Sequence, residues 1–198
     1  MHSKVKTIPF YAGFLGLPAL ADAHPFHPLI TDSVGFVAGL CHPISSAEHF
    51  LLLLILGFWL AQFKRLMAYA LPLVLVVLML LGGAANGLEL GGVAGFDLAF
   101  LPSLVLLGLL MVSAYTVSWP LGVVLAGSLA LIHGYAHAQD MLLDADATRF
   151  TVGFAVATAA LLYAGLGLAQ VMGGLRPHVH RFTGGLAAVA GVWLANLA

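Results

Sequence analysis

Leu66-Met67-Ala68-Tyr69-Ala70-Leu71-Pro72-Leu73-Val74-Leu75-Val76-Val77-Leu78-Met79-Leu80-Leu81 opens a run that continues to Asn86 without a charged side chain. A helix of about 20 residues, rising 1.5 Å per residue, crosses the hydrocarbon core of a bilayer. Lipid offers no partner for backbone N–H and C=O groups, so a run of this kind reads as a spanning helix. Working outward from 66–86, further spans are expected at 45–63, 98–117, 119–139, 150–172 and 182–198. The last is short and is expected to tilt little or to stop short of one interface. Before the first span, Val34 to Cys41 is apolar but too short to cross, and with Pro43 behind it a broken or re-entrant helix fits. Gly82, Gly83, Gly122, Gly127, Gly165, Gly167, Gly184 and Gly185 supply small surfaces for close helix packing. The expected fold is therefore all-α: a polytopic transmembrane bundle of about six spans after a targeting segment.

Composition supports this reading. The 198 residues are 62% hydrophobic and only 8% charged, against about 25% charged in a soluble domain. So few charges cannot cover a water-facing surface. The net charge of −1 and the scattered bases, Lys64, Arg65, Arg149, Arg176 and Arg181 after the first six residues, exclude a nucleic-acid patch. A lone cysteine, Cys41, excludes an internal disulfide framework and an all-cysteine zinc site.

Residues 1–23 have the form of a signal peptide: Lys4 and Lys6, an apolar stretch from Ile8 to Leu20, then Ala21-Asp22-Ala23 as a cleavage site. Residues 24–198 then form a single transmembrane helical domain with His24 on the exported side. From that start, Lys64, Arg65, Arg176 and Arg181 fall inside, and only Arg149 falls outside, as the positive-inside rule requires. The expected location is a bacterial inner membrane, with the lipid bilayer as one partner.

This topology sorts the histidines. His24, His27, His42 and His49 lie at or before the outer end of the first span, with Glu48 beside His49. His133 and His137 lie in the outer part of the fourth span, and Asp140 follows. Ionisable side chains are costly in a membrane and usually line a functional interior. His133 and His137, four apart, share one helical face about 6 Å apart, a spacing that lets two imidazoles grip one metal and also suits haem or a hydrolytic zinc. Ser45-x-x-Glu48 has the spacing of a capping box, which gives Glu48 a structural reading beside its reading as a ligand. Cys41 reads as a buried inert thiol, and His178 and His180 as part of a solvated inside loop. No P-loop, dinucleotide fingerprint or nucleophile elbow is present, which disfavours ATP-driven transport by this chain alone.

Gly35-Phe36-Val37-Ala38-Gly39-Leu40-Cys41-His42-Pro43 followed by Glu48-His49-Phe50-Leu51 resembles the first signature of the HupE/UreJ family. Ile132-His133-Gly134-Tyr135-Ala136-His137-Ala138-Gln139-Asp140 resembles its second, and the resemblance covers essentially the whole chain. It implies a nickel or cobalt permease that serves hydrogenase or urease maturation. It places His42, Glu48 and His49 at the family's functional histidine, aspartate and histidine, and His133 and His137 at its second pair. Glu48 stands where the family has aspartate, Asp140 where it has glutamate, and Ala138 where it has glycine.

The expected function is thus a permease, not an enzyme, for a divalent transition metal ion. Nickel is expected first, with cobalt, zinc or copper as alternatives, since imidazole suits all four. His42, Glu48, His49, His133, His137, Asp140, His24 and His27 are the candidate metal residues. A zinc-dependent intramembrane hydrolase and a metal-binding accessory or sensor protein are the competing readings.

Overall fold

The computed structural model describes residues 35–88, 100–113, 116–139, 145–173 and 176–196. Residues 1–34 lie outside them, and with them the expected signal peptide, His24 and His27; Asp140 lies outside them as well. The described residues form seven α-helices: α1 (Phe36–Ser45), α2 (Ala47–Leu60), α3 (Arg65–Gly87), α4 (Phe100–Val112), α5 (Trp119–Gln139), α6 (Ala145–Met172) and α7 (Pro177–Ala195).

Among them α3, α5 and α6 are long and apolar enough to cross a membrane. The pair α1 and α2, bent by 81°, makes a fourth candidate if it acts as one broken span. The break does not fall at Pro43. Pro43 sits inside α1 and is buried. The helix runs on to Ser45 and breaks at Ser46, whose extended backbone (φ −99, ψ 120) turns the chain. Ser46 is then the N-cap of α2, its Oγ accepting the His49 backbone N–H at 3.4 Å. The expected capping box is therefore displaced by one residue: Ser45 instead donates its hydroxyl back to the His42 carbonyl at 3.0 Å, and Glu48 has no part in the cap.

Other boundaries move for similar local reasons. α7 begins at Pro177, five residues before the expected span, because a proline in the first helical turn has no N–H to leave unsatisfied. α6 begins at Ala145, inside the stretch expected to be a loop, and ends before Gly173, whose positive φ of 65° suits a glycine at a helix C-terminus.

Glycines set how closely the helices approach. A Cβ added at Gly39 would overlap the Phe150 carbonyl, and one at Gly153 the Phe36 carbonyl, so α1 and α6 touch backbone to backbone. Gly57 and Gly165 do the same for α2 and α6, and Gly82 and Gly134 for α3 and α5. Gly108 and Gly184 join α4 to α7, where the added Cβ would lie 2.5 Å from Ala188 N and 2.5 Å from Met111 Cβ respectively. Of the glycines flagged from sequence, Gly167 differs: a Cβ added there would meet nothing within 4 Å among the described residues. Around these seams Leu52, Phe58, Trp59, Leu60, Leu104, Met111 and Leu162 form a buried apolar core. The outward face is apolar as well: Leu66, Leu73, Val77 and Leu81 are each more than half exposed along α3. Bare apolar stripes of this extent belong against lipid rather than water.

Candidate metal centre

α2 and α6 begin, and α5 ends, at the same end of the bundle. That convergence places His42, near the end of α1, beside His49 in the first turn of α2 and His137 in the last turn of α5. One nitrogen from each ring lies within 4.8 Å of the other two. Ring centroids are 5.7 Å apart for His42 and His49, 5.0 Å for His42 and His137, and 4.6 Å for His49 and His137. A first-row ion binds imidazole nitrogen at about 2.0–2.1 Å, so ring shifts of less than about 1 Å would close this trio on a single ion.

The ring orientations are set by helix geometry. Ser46, in capping α2, also hydrogen-bonds His49 Nδ1. One hydroxyl thus ends the turn and fixes the imidazole, leaving Nε2 as the nitrogen that faces inward. His133 donates from Nδ1 to the Leu129 carbonyl at 2.8 Å, which fixes the tautomer with its lone pair on Nε2. The Nε2 atoms of His42, His49, His133 and His137 are all buried. A wall of aromatic rings from α6 shields the trio: Phe154 lies 4.9 Å from His137 and 5.6 Å from His42, and Phe150 lies 5.6 Å from His42. Removing water from around the imidazoles strengthens any electrostatic contact made between them.

Below the trio is a cavity of about 30 Å³, lined in part by His49, His133, His137, Met79, Phe154 and Thr158. One water needs about 10–15 Å³ of such space, so the cavity has the volume of two or three waters. His133 is not in the trio. It lies one turn deeper on α5, so the pair expected to grip one ion together is divided between two depths.

The site residues read from sequence therefore separate. His42, His49 and His137 converge; His133 lines the cavity beneath them. Glu48 is half-buried in the first turn of α2, adjacent to His49 but outside the trio. His24, His27 and Asp140 lie outside the described residues. His180 is not in a loop: it sits in the first turn of α7 and hydrogen-bonds the Met111 carbonyl at 3.0 Å. Cys41 is a free thiol, half-buried on α1. Sequence reasoning missed Ser46, Phe150, Phe154 and Thr158. The i, i+4 spacing of the two phenylalanines was the available signal for the wall.

A helical membrane protein that gathers imidazoles from separate helices over an internal cavity is the class that fold and site define. The chain matches the family model described as HupE / UreJ protein over residues 12–194. It is 32% identical over 194 residues to Protein HupE of Rhizobium leguminosarum bv. viciae, an alignment that covers 98% of this chain and 97% of that protein. The chain belongs to the HupE/UreJ family. No solved structure matches it.

Proposed function

We propose that this protein is a permease that passes a divalent transition metal ion, nickel foremost, across the bacterial inner membrane. The observation that carries the reading is the convergence of His42, His49 and His137, brought from three helices to within 4.8 Å by one nitrogen each. Membership of the HupE/UreJ family, for which nickel or cobalt permeation and service to hydrogenase or urease maturation are expected, supports it. The arrangement of charge supports an orientation. Lys64 precedes α3 and Arg176 precedes α7, at the end of the bundle opposite the trio. Basic residues favour the cytoplasmic side, which supports a periplasmic position for the trio.

In this reading the ion arrives hydrated. His24 and His27, with the carboxylates of Glu48 and Asp140, capture it at the mouth. The trio then replaces part of its water. An ion leaving the trio moves into the cavity toward His133, and neutral imidazoles hold it without fixing it there. In this reading the protein works as a transporter, and the passage involves no covalent step.

The test is total metal content, by mass spectrometry, of cells expressing the wild type or the His42→Ala/His49→Ala double variant at equal membrane levels. The reading requires one metal, expected to be nickel, to rise with the wild type alone. Equal accumulation by both proteins contradicts it.

A further inference from the structure

Thr158 is only 2% exposed, and its Oγ1 is buried with no hydrogen-bond partner among the described residues. That is unusual for a helical threonine. Thr151, on the same helix, donates to the Ala147 carbonyl at 2.8 Å, and Thr183 donates to the Val179 carbonyl at 2.9 Å. Each finds the acceptor four residues back that a helix always provides. Thr158 does not use it. A buried hydroxyl left without a partner is destabilising, and in native proteins it calls for an explanation such as a bound water or ion.

Helix direction shows at what depth Thr158 lies. α6 leaves the trio end of the bundle, and α5 arrives at it. Phe154 of α6 packs against His137 of α5. One turn inward means four residues forward on α6 and four residues back on α5, which reaches Thr158 and His133 together, about 6 Å deeper. Both line the cavity under the trio, and the Nδ1 bond to Leu129 puts the ring lone pair of His133 on Nε2.

We infer that Thr158 Oγ1 and His133 Nε2 form a second station, one helical turn below the His42/His49/His137 trio, that receives the partly dehydrated transition-metal ion on its inward passage. The inference rests on the permease reading and assigns a further residue to the path. One imidazole and one neutral hydroxyl make a weaker donor set than three imidazoles. An ion held there keeps some of its water and is readily released, as a conducting path requires of an intermediate site.

The experiment uses the full chain reconstituted in liposomes, with Ni²⁺ alone as the probe. It measures equilibrium binding by the protein, initial uptake rate and Tm for wild type, Thr158→Val and Thr158→Ser. Valine keeps the shape and removes only an unpartnered hydroxyl, so Thr158→Val is expected to fold with an unchanged or raised Tm. Its affinity at the trio is expected within about twofold of wild type, while its uptake falls about tenfold or more for want of a donor to the ion. Thr158→Ser is expected to restore most of the lost rate. Wild-type uptake by Thr158→Val, or equal losses in both variants, overturns the inference while leaving the permease reading intact. Absence of Ni²⁺ binding and uptake by the wild type overturns the permease reading itself, and the station with it.

Discussion

At the end of the bundle that carries Arg176, polar side chains are spent on the fold. His180 hydrogen-bonds the Met111 carbonyl across the α4–α7 seam. Gln62 accepts the Val117 N–H at 3.0 Å, and Tyr163 donates to the Tyr69 carbonyl at 2.8 Å, tying α6 to α3. At the opposite end the same residue types are used differently. Ser46 and Leu129 anchor one nitrogen of His49 and of His133, and the second nitrogen is directed inward. Three rings there crowd together at centroid separations of 4.6–5.7 Å. A histidine paired with a backbone carbonyl in another helix is structural. A group of histidines from separate helices whose buried nitrogens face one another is arranged for a ligand. The comparison teaches that the burial and convergence of the second ring nitrogen, and not the mere presence of imidazole, separate the two roles.

The largest expected effect breaks the trio. His137→Ala is expected to lower Ni²⁺ uptake by more than the about 10–100-fold that loss of a supporting partner costs, with membrane levels unchanged on a quantitative blot. A variant that still transports at the wild-type rate would show the rings to be packing. Smaller in size, and aimed at the anchor, is Ser46→Ala. It removes the α2 cap, at about 1 kcal/mol, and the partner of His49 Nδ1, which is expected to weaken Ni²⁺ affinity about tenfold. Titration calorimetry alongside thermal unfolding separates the two consequences. The smallest effect belongs to the other end. His180→Ala is expected to cost about 1 kcal/mol of stability, seen as a lower Tm, while leaving Ni²⁺ affinity unchanged. Affinity lost with the fold intact would erase the distinction between the two ends.

Much of this arrangement is legible in the sequence because membrane physics is restrictive. The apolar runs gave the positions of α3 and α5 to within a residue or two, and the bent pair before α3 follows from a short apolar stretch that could not cross alone. The convergence of His42 and His49 with His137 follows from sorting the chain into spans with opposite directions. What sequence could not give was depth and local turn chemistry. His133 and His137 share a face one turn apart, and only the packing of α1 and α2 shows that His42 and His49 gather at His137 and not at His133. Ser45 and Ser46 offer competing caps one residue apart, and the turn itself decides between them. Thr158 carries no motif: its interest is an acceptor left unused, which spacing cannot reveal. The α7 start is readable from Pro177, whose missing N–H suits the first helical turn, although the strongly apolar run begins only after it.

The central claim is that His42, His49 and His137 bind one ion together. X-ray absorption at the nickel edge, on purified full-length protein loaded with one equivalent of Ni²⁺, addresses it directly. The account predicts three imidazole nitrogens at about 2.0–2.1 Å, completed by oxygen. A first shell of oxygen alone, or a spectrum unchanged in His42→Ala/His49→Ala, would contradict it.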